Sequence, residues 1–166
     1  MTTQTFHQRL TRSPIAKAKM LIRRPVADVF EAIVDPRITS RFWFTKGSGK
    51  LEPGKRVQWD WEMYGVSAKV SVKDVDENRR IAFDWGDDEE TTTVEFRFVP
   101  LGDDTTYLQV TETGLSGDGD ALVARVAGST GGFTIALCAL KALLEHDVVL
   151  TVVRDRFPKG LDADVS

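Results

Sequence analysis

The chain has 166 residues, of which 42% are hydrophobic and 28% charged, with a net charge of −3. That is the size and balance of one globular domain, able to bury roughly 70% of its unfolded surface, and it excludes a disordered or membrane-like composition. The single cysteine, Cys138, excludes an intrachain disulfide framework and a thiolate metal cluster.

No run approaches the roughly 20 apolar residues that a membrane span requires, and MTTQTFHQRLTRSP has no apolar signal centre, so a cytoplasmic protein is the expectation. Residues 1–13 are expected to be a disordered tail, 14–157 the domain, and 158–166 a flexible end. Arg9, Arg12, Lys17, Lys19, Arg23 and Arg24 precede the first acidic residue, Asp28, and read as a solvated tail and strand face.

Ile15 to Arg24 alternates as a half-buried strand, with Ala16, Ala18, Met20 and Ile22 sharing one face. Pro25 suits a first helical position, and Val26, Val29, Phe30 and Ile33 follow at helical spacing. Asp35-Pro36 repeats the cap-then-proline signal and opens a second short helix, which ends at Phe42, Trp43 and Phe44.

From Arg56 the period becomes two: Val57, Trp59, Trp61 and Met63 share a face, and Arg56, Gln58, Asp60 and Glu62 the other. A two-residue turn at Tyr64-Gly65 would pair Met63 with Val66 and set Asp60 opposite Lys69. Val66, Ala68, Val70 and Val72 continue the inner face, a turn follows at 76–79, and Ile81, Phe83 and Trp85 point inward on the next strand. After an acidic hairpin at Asp87 to Glu90 come Val94, Phe96 and Phe98, then Leu108, Val110 and, by strict alternation, Glu112.

Leu115 to Asp120 reads as a loop, and Ala121 to about His146 as a long covering helix with the stripe Val123, Val126, Thr130, Phe133, Leu137, Leu140 and Leu144. Gly128, Gly131 and Gly132 each cost it roughly 1 kcal/mol. Either the helix kinks there or the missing side chains leave room for close backbone packing or a ligand. Val148 to Val153 is compatible with strand or helix.

The run Pro25-x-x-Asp28-Val29-Phe30, the antiparallel strands, and Thr-Gly-Gly-Phe-Thr-Ile-Ala-Leu-Cys-Ala-Leu-Lys-Ala-Leu-Leu-Glu-His at 130–146 resemble the SRPBCC, or START-like, superfamily. More narrowly, they are similar to its bacterial single-domain branch, the activator of heat-shock-protein-90 ATPase homologue-like family. The resemblance spans residues 15 to about 147 and departs from the family pattern at Asp147, where glycine is usual. It implies an α+β helix-grip (START/Bet v-like) fold. A curved antiparallel sheet of about six or seven strands would wrap a long C-terminal helix, with two short helices after the first strand.

An enclosed apolar pocket is the main functional signal. Trp59, Trp61, Phe83, Trp85, Phe96 and Phe98 share one side of the sheet, Phe133 and Leu137 face them from the helix, and Trp43 is expected at the mouth. The competing reading is that these side chains simply fill the core. Glu112 could serve the pocket as acid, base or hydrogen-bond anchor, although its place near the strand end favours a carboxylate reaching solvent or capping rim amides. His146 is expected at a helix C-terminus and His7 in the tail, leaving no pair for a metal site or charge relay. Cys138 reads as an inert, small apolar group in mid-helix.

No nucleophile is assembled, and the helix glycines lack the strand and lysine of a phosphate loop. The expectation is a non-catalytic protein that binds a hydrophobic small molecule, such as a lipid, polyketide or aromatic compound, and uses no cofactor, metal, nucleic acid or membrane span. The alternatives are a chaperone-associated regulator acting through its surface and a cyclase or hydrolase using the pocket.

Overall fold

The computed structural model describes residues 9–160. His7 and the outer parts of both expected tails lie outside them. Strand β1 (Ala16–Ile22) leads into helices α1 (Val26–Val34) and α2 (Pro36–Thr39). Strands β2 (Lys46–Gly47), β3 (Arg56–Trp61), β4 (Val66–Asp76), β5 (Arg80–Asp87), β6 (Glu90–Pro100) and β7 (Thr106–Thr113) follow, then the long helix α3 (Gly119–His146) and a single turn, α4 (Val152–Asp155). The strands form one antiparallel sheet in the order β1-β7-β6-β5-β4-β3-β2. The chain crosses through α1 and α2 to the far edge and meanders back until β7 pairs with β1, with α3 lying against β1. This is the helix-grip fold.

Local chemistry explains the crossing. Pro25 precedes α1 as its N-cap, one position earlier than the spacing suggested, and Val29, Phe30 and Ile33 bury the inner face. Asp35 caps α2 by accepting from Arg37 N–H at 2.9 Å, and Pro36 takes the first helical position, where a missing N–H costs nothing. Thr39 donates its hydroxyl to Ala32 O at 2.7 Å, tying α2 to the end of α1.

The β3–β4 register differs from the expected one. Trp61, not Met63, pairs with Val66, and Asp60 faces Ser67. The turn is longer than two residues because Glu62–Tyr64 forms a 3₁₀ turn that Gly65 ends in the left-handed region at φ 62°. Lys69 instead faces Gln58 and reaches Asp88 at 3.5 Å, while Asp60 accepts from Ser67 Oγ at 2.6 Å. The slip is two residues, so every side chain keeps its face.

Helix α3 runs without interruption through its three glycines, but it is packed along only half its length. Phe133, Ala136, Leu137, Ala139, Leu140 and Leu143 are buried, whereas Val123, at the start of the expected stripe, is 61% exposed. Lys141 Nζ donates to Leu21 O at 2.7 Å, and Glu145 accepts from Arg23 N–H at 3.1 Å, which pins the C-terminal half to the end of β1. Burial works to raise the Glu145 carboxyl, but the hydrogen bonds from Lys141 and Arg23 outweigh it and hold the group below its ordinary range. Cys138 is exposed, because it faces away from the sheet while its apolar sequence neighbours Ala136, Leu137 and Ala139 are buried.

By length and composition α3 could cross a membrane, with an 18-residue window of mean hydropathy 1.4. A core helix meets the same criterion, and the C-terminal half of α3 is packed against β1. Its end is closed by Asp147, which adopts the left-handed conformation (φ 51°) that glycine usually supplies, with Asp147 N–H donating to Leu143 O and Val148 N–H to Ala142 O. Residues 148–151 are irregular and exposed before α4, which answers the open question of strand or helix.

Asp35 gives the fold a pH dependence whose sign is fixed. The Arg37 guanidinium hydrogen-bonded to this buried carboxyl holds it down at about 2, against 3.8 ordinarily, with Lys50 3.7 Å away adding to the effect. Its contribution is therefore complete above the unfolded value and is lost as the pH falls through the folded one. Because Arg37 is largely exposed, the contribution is no more than about 2 kcal/mol. Asp35→Asn keeps a capping oxygen but not the charge. Its Tm, followed by circular dichroism, should fall less steeply than wild type between about pH 5 and pH 2.

Candidate functional site

The inner face of the sheet is aromatic because period-two alternation places Trp59 and Trp61 of β3, Phe83 and Trp85 of β5, and Phe96 and Phe98 of β6 on one side. Trp43, in the loop after α2, inserts among them. Its ring lies 5.1 Å from Trp59, 5.9 Å from Trp85 and 6.1 Å from each of Trp61, Phe96 and Phe133. Phe133 of α3 stacks on Trp85 at 5.8 Å with planes 21° apart.

Beyond this cluster α3 no longer packs down, and a cavity of about 650 Å³ opens between sheet and helix. Trp61, Val66, Ala68, Trp85, Thr92 and Glu112 line it from the strands and the start of the β3–β4 hairpin. Trp43 borders it from the loop, and Gly132 and Ile135 from the helix. Of the ten residues assigned to the pocket from sequence, Trp43, Trp61, Trp85 and Glu112 border this space. Trp59, Phe83, Phe96, Phe98, Phe133 and Leu137 lie beneath it as core, each no more than 4% exposed. Alternation specifies the face a side chain takes but not how far along the sheet the helix covers it.

Glu112 is buried, 3% exposed, rather than reaching solvent at the rim. It lies opposite Ala16 of β1 and Val94 of β6, so the sheet encloses it on both sides. Its Oε2 accepts from Trp85 Nε1 at 2.7 Å and Thr92 Oγ1 at 2.5 Å, while Oε1 is buried without a partner.

Trp43, expected at the mouth, is instead buried within the aromatic cluster, and the mouth is built by other residues. The segment after α3 folds back over the cavity, bringing Val153, Arg156 and Phe157 to its edge. The Tyr64 hydroxyl, at the hairpin tip, reaches the carbonyls of Val153 and Arg154, accepts from Phe157 N–H at 3.3 Å, and its ring meets the Phe157 ring at 5.8 Å. On the other side Arg156 Nη2 donates to Gly128 O at 3.1 Å. A Cβ on Gly131 or Gly132 would stand 2.9 Å from the same guanidinium. Gly131 and Gly132 thus make room for an arginine from the returning chain, which donates to the Gly128 carbonyl, and the glycine pair in a helix signals the space but not its occupant.

Residues 23–145 match the family model described as Activator of Hsp90 ATPase homolog 1-like protein. The chain belongs to this family. Protein SSP2350 from Staphylococcus saprophyticus is 30% identical, with a TM-score of 0.71 over 82% of this chain and 96% of that one. DynU16, from the dynemicin biosynthetic locus, is 20% identical, with a TM-score of 0.72 over 81% of this chain and 48% of its own. PFC0360w, an HSP90 activator from Plasmodium falciparum, is 14% identical, with a TM-score of 0.64 over 79% and 96%. At those identities the last two show the fold alone. No curated protein matches the sequence.

Within this family fold, the strap formed by residues 152–157 can be tested through its glycine seat. Gly128→Ala meets open space and should stabilise the protein by about 0.5–1 kcal/mol through helix propensity. Gly132→Ala makes the same gain but must push the Arg156 guanidinium aside. Its rise in Tm should be smaller, and hydrogen exchange of residues 152–157 should quicken in it alone.

Proposed function

We propose that this protein binds a hydrophobic small molecule, a lipid, polyketide or aromatic compound, in the cavity between the sheet and α3. The observation that carries this reading is the roughly 650 Å³ left unfilled beside a tightly packed aromatic core, a volume within the 300–1,000 Å³ usual for ligand pockets. A chain able to bury Trp59 and Phe83 completely has the means to fill such a space, and the small residues Ala68 and Gly132 leave it open. Trp43, Trp61 and Trp85 offer flat apolar faces to a ligand. At about 25 cal/mol per Å², 200 Å² of buried apolar surface would contribute about 5 kcal/mol before the costs of ordering. That DynU16 belongs to a biosynthetic locus supports a small-molecule role.

A second reading, regulation of a chaperone ATPase through surface contact, is favoured by the family description and by the HSP90 activator among the similar folds. Pull-down with the host's heat-shock-protein-90 homologue followed by an ATPase assay separates the two, since a small-molecule binder leaves the ATPase rate unchanged.

The leading reading is tested by filling the cavity. The wild-type protein should bind anilinonaphthalene sulfonate stoichiometrically, and native mass spectrometry should find an apolar compound retained from the host. Ala68→Trp should weaken probe binding at least about tenfold while the circular dichroism spectrum stays native. Undiminished binding in that variant would place the probe elsewhere.

A further inference from the structure

Glu112 Oε1 is the one side-chain nitrogen or oxygen among the described residues that is buried and has no hydrogen-bond partner. Buried polar groups are almost always paired, and an unpaired acceptor in an apolar wall is destabilising, so such an atom calls for a physical reason. The carboxyl cannot readily turn to share its partners. Its backbone is held between β1 and β6, and Oε2 already takes both nearby donors, the Trp85 indole N–H and the Thr92 hydroxyl. Trp85 is itself fixed by stacking on Phe133 and by contact with Trp43. Thr92 accepts from the same indole at 3.1 Å, closing a small triangle on the Oε2 side. The arrangement orients Glu112 and leaves Oε1 with its acceptor capacity unused, in a residue that forms part of the cavity wall.

We infer that the ligand of this cavity carries a hydrogen-bond donor, a hydroxyl or an amine on an otherwise apolar and flat body, and that this donor pairs with Glu112 Oε1. The inference rests on the reading of the cavity as a ligand site and adds the chemical class. Both partners donate to Oε2, and in the carboxylate form Oε1 too can only accept. An ether or ketone oxygen placed there would meet the lone pairs of Oε1 instead of a proton. Discrimination therefore comes as much from rejecting molecules without the donor as from rewarding those with it, because a buried polar group left unpaired opposes binding. Trp43, Trp61 and Trp85 with Ala68 and Ile135 supply apolar contact for the body of the ligand, while Glu90, Arg125, Arg156 and Tyr64 also line the cavity. All four are hydrogen-bonded within the protein, which leaves Glu112 Oε1 as the unpartnered buried polar side-chain atom among the described residues.

Isothermal titration of the full chain with naphthol and naphthyl methyl ether, two probes of nearly the same shape, tests the inference. Naphthol should bind at least about tenfold more tightly. Glu112→Gln keeps one oxygen for Trp85 and Thr92 and places an amide NH₂ at the unpaired position, so the preference should shrink to within about twofold or reverse. A second readout needs no variant: the Glu112 carboxyl ¹³C resonance should move on saturation with naphthol and stay in place with the ether. Equal binding of the two probes to the wild type, or an undiminished preference in Glu112→Gln, would overturn the donor assignment and leave the cavity reading standing. Failure of both probes, together with anilinonaphthalene sulfonate, to bind would remove the cavity reading itself.

Discussion

The Trp43 indole touches six other rings, and the molecule is organised around that contact. Phe44, Trp59, Trp61, Trp85, Phe96 and Phe133 come from the loop, three strands and the long helix, with centroid distances of 5.1 to 6.2 Å. Aromatic pairs at such distances contribute about 0.5–1.5 kcal/mol each beyond their buried area, so the cluster outweighs any single polar contact in the domain. Its position depends on a short chain of local causes. Asp35 caps α2, Thr39 ties α2 to α1, and Thr39 O accepts from Trp43 N–H at 2.9 Å. On one side of the ring the interior is solid, and on the other it is open.

The open side coincides with the half of α3 that forgoes packing. Three glycines there cost the helix about 3 kcal/mol together. The hydrogen bond from Arg156 to Gly128 O is exposed and worth about 1 kcal/mol. The exchange does not balance within the helix, so α3 is held mainly by its C-terminal half, through apolar burial and the Lys141 and Glu145 contacts to the end of β1. A domain optimised only for stability would carry alanine at 128 and a large side chain at 68. The residues present leave space and put an arginine at its edge.

What the sequence revealed divides along physical lines. Parity is local, so the inner faces of β3, β5, β6 and β7 could be named from alternation, Glu112 included. Depth is tertiary: Trp59 and Trp61 share a face, yet Trp59 is sealed in the core, with Phe44 from the loop after α2 stacked on it at 4.8 Å, while Trp61 borders the cavity. The reading of Glu112 as a rim group failed for the same reason, since its place near the strand end said nothing of the neighbours on both sides. Cys138 has apolar neighbours in the chain yet is exposed, because its neighbours in space decide exposure. Arg156 and Phe157 gave no signal because the stretch before them has no clear period, and Asp147 shows a non-glycine residue accepting the left-handed conformation at a helix end.

The hairpin between β3 and β4 separates what must be conserved in this architecture from what is free to change. Its turn proved two residues longer than the shortest possible, and the wall was unaffected because two residues restore the pleat. Loop length there is most simply changed in pairs: an even insertion lengthens the tip that carries Tyr64 and reshapes the mouth, whereas an odd one needs a bulge to absorb it, as β4 already has between Val72 and Asp74, if Trp59 and Trp61 are to keep facing inward. A lineage can therefore re-cut the entrance to this cavity in two-residue steps without touching its lining.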